Sequence, residues 1–351
     1  MDLLSSDESY LFELEVFESA MKWIEHDVHN RKCHLDALID CVRFPLMGMK
    51  DLGKIRKHPI ASGSVKFKEE ILEALGLHAE GEAASTPVQA RKGPKTKPPS
   101  EGSMKKSLKK FIFNGKIEEY EIPRDRWYRF VAKGAKAANG QSCTGGFGAV
   151  IDATFLLKKG DKLEILCGGM STTSGRGDSG GGGGTFMAIN GRKNPLIVAG
   201  GGGGTRGSRD DRDGKPASLE PAGSDGTGGS SGTGKGGVDG AGGRRKEASY
   251  GGGGGGFFRD GDDPGQEAYD AGGRSFATGG KGSYCGGFGG GGGCGSAGGG
   301  FACGGGGGGY SGGGAGHSAG GGGSFVRQDG VNIVKVADHS GHGELEIFIA
   351  S

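Results

Sequence analysis

Six runs of consecutive glycine constrain this chain more than any other feature. They are Gly180–Gly184, Gly200–Gly204, Gly251–Gly256, Gly289–Gly293, Gly304–Gly309 and Gly320–Gly323. Glycine loses more conformational freedom on folding than any other residue, so such runs stay loops unless something offsets that entropy. A bundle of left-handed helices with three residues per turn can offset it, because the outward backbone groups bond to neighbouring runs. Collagen is excluded, because the glycines occur in blocks and not at every third position.

Glycine and charge divide the chain into three segments. Glycine accounts for 83 of the 351 residues, but only seven of these precede residue 111. Residues 1–80 carry 15 acidic and 10 basic side chains, whereas residues 81–110 carry two acidic and eight basic ones. We therefore predict an α + β multidomain protein, with a helical domain at 1–80, a basic Pro/Lys-rich disordered linker at 81–110 and a glycine-rich β domain at 111–351. A nuclear-import signal is the alternative interpretation of the linker.

Residues 1–80 have the apolar periodicity of short amphipathic helices. The predicted helices cover 13–26, about 31–42, 49–56 and 65–78. On the first of them, the apolar face consists of Val16, Phe17, Ala20, Met21, Trp23 and Ile24. Short loops between short helices predict an antiparallel array, and so small a segment buries only a small core.

Three motifs follow one another in this segment. They are an acidic amphipathic helix around Trp23, an Arg-His-Leu helix that starts near Arg31, and an Arg-Phe-Pro-Leu exit at 43–46. Their succession resembles the BACK domain, the helical module between the BTB domain and the kelch repeats of BTB–kelch proteins. The resemblance implies a substrate adaptor of cullin-based ubiquitin ligases, in which BTB and the first BACK helices bind the cullin.

The segment also departs from the family pattern. It starts in the middle of that pattern, and Phe12 stands where the family tends to have a small polar cap residue. Neither a BTB domain nor kelch repeats are recognisable in the 351 residues. We therefore expect this N-terminally incomplete segment to bind a cullin weakly or not at all.

Residues 111–351 alternate strand-like segments with the glycine runs. Asn114-Gly115 between apolar residues predicts a β-hairpin. Further strands are predicted at 127–133, 147–157, 162–167, 185–189, 195–199, 331–336 and 344–350. Together they predict a β-sandwich-like domain with inserted polyglycine helices or loops, completed by pairing of the last strand with strands near 113–133.

The order of motifs in this domain is distinctive. It includes Lys133-Gly134-Ala135, the stretch 145–149, Pro195–Gly200 and Tyr310–Gly313. Over about 113–350 this order resembles the glycine-rich extracellular domain of the anaplastic lymphoma kinase and leukocyte tyrosine kinase receptors. The resemblance implies a folded domain that binds another protein. Kinase motifs and a transmembrane helix are not found, so the receptor function is not implied.

Several short motifs compete with plainer interpretations. His26, His29, Cys33 and His34 could form a zinc site, but the closely spaced cysteine pairs of structural zinc sites are missing. The simpler interpretation is that these residues are exposed at the ends of helices. Residues 229–236 approach a phosphate-binding loop but end in glycine where a hydroxyl residue is needed. The integrin tripeptide at 176–178 arises easily in such a sequence. Glycine–phenylalanine pieces lack the Arg-Gly-Gly triplets of RNA-binding tails.

The acidic pairs of the β domain are the remaining candidates for a metal site. Asp210, Asp211, Asp213, Asp262 and Asp263 could bind calcium, but EF-hand spacing is absent and solvation is the plainer interpretation. The sequence identifies no catalytic, cofactor-binding or metal-binding residue, and partner-binding residues stay unidentified.

We predict a non-enzymatic protein-interaction module, an adaptor of the BTB–BACK type whose recognition end is the glycine-rich domain. Its partner is a protein of unknown identity; near-neutral net charge gives no reason to expect nucleic-acid binding, and no apolar stretch suits membrane insertion. The N-terminus lacks the features of a signal peptide, which predicts a cytoplasmic protein with seven reduced cysteines. The alternative is a fragment of an extracellular, receptor-type ligand-binding protein fused to a BACK segment.

Overall fold

The computed structural model describes residues 13–47, 49–79, 106–174, 177–207, 212–228, 233–245, 251–262, 272–295 and 303–349. The chain divides into two compact units, Met1–Lys97 (unit 1) and Pro98–Ser351 (unit 2). Within the described residues, no helix is long and apolar enough to cross a lipid bilayer.

Unit 1 is built from short helices, in agreement with the predicted helical segment. The α-helices are α1 Glu13–His26, α2 Val28–Arg31, α3 Leu35–Ile39, α4 Met49–Ile55 and α5 Val65–Ala79. The predicted continuous helix over about 31–42 is wrong, because this stretch is divided between α2, a 3-10 turn at Lys32–His34 and α3. Asp27 accounts for the early start of α2: its carboxylate accepts the N–H of Asn30 and caps the new helix.

Three phenylalanine rings from separate elements form the centre of the unit 1 core. Phe17 of α1 stacks on Phe67 of α5 with ring centroids 5.5 Å apart, and Phe44 meets Phe67 edge-on at 5.8 Å. All three side chains are almost completely buried. Burial of each contributes about 1.5–3 kcal/mol, which ties α1, the 3-10 turn Phe44–Leu46 and α5 into one unit.

Unit 2 contains two five-stranded sheets packed as a sandwich. The strands are β1 Lys106–Ile112, β2 Ile117–Glu121, β3 Arg126–Lys133, β4 Gly148–Leu157, β5 Lys162–Leu166, β6 Thr185–Ile189, β7 Pro195–Ala199, β8 Phe325–Val326, β9 Val331–His339 and β10 Glu344–Ile349. Sheet A has the order β1-β10-β3-β4-β9, and sheet B has the order β2-β5-β6-β7-β8. Neighbouring strands in both sheets are antiparallel, and the last strand, β10, pairs with β3 as predicted and with β1 as well.

Two local predictions about the start of unit 2 are wrong. The turn at Asn114-Gly115 does not close a hairpin, because β1 pairs with β10 in sheet A and β2 pairs with β5 in sheet B. The turn is instead a crossover between sheets, which local turn chemistry cannot distinguish from a hairpin. Strand β1 also begins at Lys106, inside the stretch expected to be a disordered linker. Its lysines gave this stretch the composition of a linker, but pairing with β10 stabilises it as a strand. Residues 80–105 lie outside the described residues.

Sheet B is buried on both faces. One face joins sheet A in the main core through side chains such as Ile165 and Met187. The opposite face carries Phe186 and Val198, which pack against Phe257 and Phe276 from the glycine-rich segments. Unit 2 therefore has three layers: sheet A, sheet B and the glycine runs with their aromatic residues.

The run Gly304–Gly309 lies at the centre of the third layer. It is buried throughout, and its backbone bonds with each of the five other runs. Examples are Gly308 to Gly182 (3.0 Å), Gly201 to Gly308 (2.8 Å), Gly306 to Gly252 (3.0 Å), Gly292 to Gly306 (2.8 Å) and Gly307 to Gly320 (2.9 Å). A Cβ on Gly306 would lie closer than 3.0 Å to the backbone of Gly313, so only glycine fits this spacing.

The bonds of the central run repeat every third residue. Gly305 and Gly308 donate to acceptors three residues apart, Ser179 and Gly182. Gly306 and Gly309 likewise donate to Gly252 and Gly255. Successive donors therefore point to different neighbours, and one run can bond to several others around it.

Aromatic residues flank five of the six runs at the end next to sheet B. Phe186, Phe257, Tyr310 and Phe325 follow four of the runs directly or after one residue, and Phe288 precedes a fifth. All of them belong to or pack against one apolar cluster. Tyr310 stacks on Phe325 at 4.4 Å, and Phe186 stacks on Phe276 at 5.1 Å. The cluster anchors the runs on sheet B, where aromatic burial offsets part of the entropy cost of the glycines.

Candidate interaction surfaces

The weak sequence motifs do not assemble into sites among the described residues. No group of three or more His, Cys, Asp or Glu side chains in this part of the chain is placed to hold a metal ion. In the former zinc candidate, the Cys33 thiol donates to the carbonyl of Asn30 at 3.3 Å, and the ring of His34 meets Trp23 edge-on at 5.8 Å. Both groups are thus occupied by local contacts.

Of the other motifs, Asp178 is internal, Asp213 and Asp262 are exposed, and several further residues fall outside the described part of the chain. Asp178 of the integrin tripeptide is 2% exposed and accepts the N–H of Gly207 at 2.7 Å, so it faces inward. Asp213 accepts the N–H of Thr144 at 2.7 Å. Arg176, residues 229–232 of the phosphate-loop candidate, and Asp210, Asp211 and Asp263 of the calcium candidate lie outside the described residues.

In unit 1, an exposed tryptophan with a cation stacked on it forms the first candidate surface. Trp23 belongs to α1, and the sequence prediction placed it on the buried face, but it is 42% exposed. The guanidinium of Arg31 lies 4.6 Å from the centre of the Trp23 ring, and its Nη1 donates to the Trp23 carbonyl at 3.0 Å. We name the Trp23 surface by its residues: Lys22, Trp23, His26, Arg31, Lys32 and His34.

Two acidic side chains of α1, Glu18 and Glu25, contact residues outside the Trp23 surface. Glu18 pairs with Lys54 of α4 at 3.0 Å, and Glu25 approaches His58 at 3.7 Å. Asp27 is committed to its cap: hydrogen bonds from the side chain and backbone of Asn30 lower the pKa of its carboxyl group. Asp27 remains negatively charged beside Arg31, so the three cations Lys22, Arg31 and Lys32 leave a positive balance over this one acid.

In unit 2, the outer face of sheet A forms the second candidate surface. Inward residues of β4 such as Ile151 and Phe155 are buried, so the alternate residues Val150 and Asp152 face outward. Val150 pairs with Val336 and Asp152 pairs with Val334 and Val131. We name this patch of Val131, Val150, Asp152, Val334 and Val336, with Arg129, the open face. Val334 is 46% and Val336 41% exposed.

A bidentate ion pair between Arg129 and Asp152 lies on the open face. Arg129 Nε donates to Asp152 Oδ1 at 2.9 Å, and Arg129 Nη2 donates to Asp152 Oδ2 at 2.5 Å. The same guanidinium lies 5.2 Å from the centre of the Phe348 ring. Such paired geometry holds Arg129 in one orientation, so the valines surround a fixed and internally neutralised charge.

A second charge group lies beside the open face. Glu344 of β10 bridges Lys110 of β1 at 2.8 Å and Lys133 of β3 at 2.7 Å. Burial by itself raises the pKa of Glu344, but the hydrogen bonds from both lysines lower it overall. The Arg129–Asp152 pair and the Glu344 group satisfy the charges of this face among themselves, so the valines are its exposed apolar part.

The edges of the sheets are poorly suited to pairing with another chain. Edge strand β1 carries three lysines and β2 carries three glutamates. Edge strand β9 has two register irregularities against β4, and Asn332 within it has a φ of 53°. Charged side chains and bulges both discourage strand addition. Interaction through unit 2 is therefore expected on a face and not on an edge.

A disulfide joins Cys285 and Cys294, with Cα atoms 5.9 Å apart. The expectation that all seven cysteines are reduced is therefore wrong for this pair, because the segments around Gly289–Gly293 bring the two thiols together. Cys303 is buried and is not part of the disulfide. Spacing alone could not select the pair, since several combinations of the five cysteines in this segment were open.

Sequence reasoning missed both candidate surfaces. Trp23 matched the apolar spacing of α1, and only the helix packing shows that it lies at the margin of the buried face. The available signal was the aromatic residue Trp23 next to Lys22, with Arg31 eight positions after Trp23. The open face could not be found from sequence, since it requires the order of strands β3, β4 and β9 in one sheet.

Comparison with known proteins identifies relatives of the N-terminal segment. Residues 1–57 match the family model BACK, described as "BTB And C-terminal Kelch". Kelch-like protein 17 of Homo sapiens is 28% identical over 138 residues, which cover 36% of this chain and 21% of the relative. Kelch-like protein 3 of Danio rerio is 29% identical over 139 residues, which cover 36% of this chain and 22% of the relative.

These matches confirm the predicted BACK segment at the N-terminus and a relationship to Kelch-like proteins. The chain spans about a fifth of the length of these curated relatives.

Proposed function

We propose that this chain is a non-enzymatic protein-interaction module of the substrate-adaptor type, with the BACK segment at one end and the glycine-rich unit as the recognition end. The BACK match over residues 1–57 supports the adaptor class. In BTB–kelch proteins, a separate β domain follows BACK, and unit 2 is a separate β unit that follows BACK here. Ubiquitin-ligase association and a cytoplasmic location belong to this proposal. Weak cullin binding by these 351 residues stays a prediction and is compatible with the proposal, because a weakly bound ligase can still act on the partner, whereas no association with a ligase would contradict it.

The exposed valines of the open face are the observation that carries the recognition role. Sheet B is covered on both sides, whereas Val334 and Val336 of sheet A are each more than 40% exposed. Clustered exposed apolar residues beside polar ones are typical of protein-interaction sites. The fixed Arg129–Asp152 pair adds a polar feature that could define register with a partner.

We also infer that the glycine runs, apart from Gly289 and Gly290 with φ angles of 100° and 82°, are left-handed helices with three residues per turn. The three-residue repeat of bonds from Gly304–Gly309 supports this, as do the negative φ angles of all residues in that run. Such a bundle would be a rigid support for sheet B. The resemblance of unit 2 to the glycine-rich domain of the two receptor kinases stays a prediction.

The substitution Val334→Glu tests the recognition role. The full chain is expressed in cells as wild type, as Val334→Glu and as the control Val238→Glu, which changes a 59% exposed valine of unit 2 outside the sheets. We expect wild type and control to co-precipitate the same partner, with Val334→Glu losing it. Under the adaptor proposal, ubiquitination of that partner also falls in cells that lack the chain.

Two outcomes would contradict the proposal. If Val334→Glu retains every partner, the open face is not the recognition surface. If partners are retained but their ubiquitination and abundance do not depend on the chain, the adaptor class is wrong. Circular dichroism of both variants verifies that each substitution leaves the fold intact.

One observation favours the alternative, an extracellular receptor-type ligand-binding protein. The Cys285–Cys294 disulfide is the kind of bond that persists in oxidising compartments and is rare in the cytosol. Thiol mapping of the chain isolated from cells in the presence of an alkylating agent distinguishes the two. An oxidised pair together with secretion favours the receptor type, and a reduced pair in a cytosolic fraction favours the adaptor.

A further inference from the structure

We propose that the Trp23 surface of unit 1 binds an acidic peptide segment of a partner protein. This surface is separate from the open face of unit 2. Its occupant would place carboxylates on the Arg31–Lys32 side and an apolar or backbone portion against the exposed part of the Trp23 ring.

The arrangement of Trp23 and Arg31 is already organised for contact. The Nη1 bond to the Trp23 carbonyl and the stacking at 4.6 Å hold the guanidinium over the ring. A stacked guanidinium keeps its other N–H donors in the plane of the group, where a carboxylate can accept them in pairs. Tryptophan and arginine are also the residues that most often carry the energy of protein interfaces. Little further ordering is needed for binding, which favours affinity.

Charge determines the class of occupant. Lys22, Arg31 and Lys32 contribute three positive charges, and His26 and His34 can add to them. Two nearby acids contact residues outside this surface, Glu18 with Lys54 and Glu25 with His58, whereas the carboxylate of Asp27 interacts electrostatically with Arg31 and offsets one of the three charges. A partner that matches this surface is therefore negatively charged. A peptide suits it better than an isolated anion, because the ring offers apolar contact area that a small ion cannot use.

The two tryptophans of the chain make a direct test possible. In the full chain with Trp127→Phe, Trp23 is the remaining tryptophan and its fluorescence reports on this surface alone. The probes are a short poly-glutamate peptide, a poly-lysine peptide of equal length, inorganic phosphate and vesicles of anionic phospholipid. The measurement is the quenching of Trp23 by acrylamide as each probe is added.

We expect poly-glutamate to protect Trp23 and added salt to remove the protection, while poly-lysine and phosphate have no effect. Adding Arg31→Gln should weaken apparent binding at least about fivefold, a loss that fewer than about a third of interface residues exceed when truncated. Arg31→Lys should also weaken it, because charge remains but the planar donor pair is lost. The matched control Lys54→Gln removes a positive charge of α4, which pairs with Glu18 of α1 and is not part of the Trp23 surface. It should leave binding unchanged.

Several results would overturn the proposal. Equal protection by phosphate would indicate a general anion site, and protection by vesicles but not by poly-glutamate would indicate a membrane surface. Equal binding by the Arg31→Gln variant would exclude Arg31 as the recognition residue. Absence of protection by poly-glutamate at low salt would exclude an acidic peptide altogether. The helical circular dichroism signal of each variant shows whether unit 1 has remained folded.

Discussion

The backbone N–H of Gly306 donates to the carbonyl oxygen of Gly252 at 3.0 Å, and this bond joins two glycine runs that are far apart in the sequence. The carbonyl of Gly306 in turn accepts the N–H of Gly292 at 2.8 Å. One residue without a side chain thus connects three runs. Such contacts hold the glycine runs of the third layer of unit 2 in a fixed arrangement. Substitution of a glycine in these runs should therefore destabilise the layer.

Substituting Gly306 by alanine should destabilise unit 2. A Cβ there would lie closer than 3.0 Å to the carbonyl of Gly313 and to the nitrogen of Gly254, and backbone cannot move aside as a flexible side chain can. We expect a loss of about 1–3 kcal/mol or more, the cost of an overpacked core. Thermal unfolding of Gly306→Ala against wild type measures it.

The control for this prediction is Gly76→Ala in α5, where an added Cβ meets nothing within 4 Å. Alanine should there stabilise the helix by about 0.5–1 kcal/mol. If Gly306→Ala melts like wild type, the close packing of the central run is not present in solution.

Ile347 of β10 should be essential for sheet A. Its side chain is fully buried, and its strand lies between β1 and β3. The substitution Ile347→Ala should cost about 2–5 kcal/mol, because a cavity is left in the main core. Urea denaturation measures the loss. Glu346→Ala, on the other face of the same strand, should cost far less, and equal losses would mean that the two faces of β10 have been assigned wrongly.

The stability of unit 2 should depend on Asp260 in acid. Burial alone raises the pKa of this carboxyl group, but hydrogen bonds from the Ser275 backbone and from the side chains of Arg274, Thr278 and Ser275 lower it to about 2. Because the folded pKa lies below 3.8, the usual value for an aspartate side chain, the ionised form stabilises the fold above about pH 4. That contribution is lost as the pH falls from about 4 to 2.

The comparison of wild type with Asp260→Asn isolates this effect. The variant should be less stable at neutral pH, and its stability should fall less steeply between about pH 4 and pH 2. Denaturant midpoints measured across this interval give the two slopes. Parallel slopes would show that Asp260 does not carry the predicted pH dependence.

Reduction of the Cys285–Cys294 disulfide should lower the melting temperature of unit 2 without unfolding it. A bond that closes a loop of this length contributes about 2–3 kcal/mol through the unfolded chain. The backbone bonds of Gly289–Gly293 to the neighbouring runs remain after reduction. Melting with and without a thiol reductant tests this, and the double variant Cys285→Ser/Cys294→Ser should not respond to the reductant.

Alkylation provides an independent check on the other thiols. Cys33 is exposed, whereas burial raises the pKa of the Cys167 thiol to about 12. In the native state at mildly alkaline pH, Cys33 should therefore react with iodoacetamide and Cys167 should not. Rapid labelling of Cys167 would contradict its placement in the core between the sheets.

The elements that could be predicted are those whose signal is local. Helix α1 has the predicted bounds, and β6 and β7 coincide with the predicted strands, because apolar periodicity in these segments reflects the neighbours that bury them. The predictions that failed depend on distant partners. Asn114-Gly115 specifies a turn but not the sheet that each flanking strand joins. Strand β1 has little apolar pattern of its own, and it forms through pairing with β10.

The candidate surfaces were harder to predict than the elements. The BACK resemblance indicated an interaction protein from motifs around Trp23 and Arg31, but the stacking of these two side chains depends on the turn that Asp27 starts. The valines of the open face come from three strands, and their contact requires the register of β4 with both β3 and β9.

The sequence alone determined the helical character of the BACK segment and the alternation of strands with glycine runs. These properties follow from residue type and short-range spacing, which act before distant parts of the chain meet. The tertiary structure decided which strands form each sheet, which run lies at the centre, which cysteines pair and which side of Trp23 stays exposed. Glycine runs have no side chains to distinguish them, so their arrangement is set by the strands and aromatic residues that hold their ends.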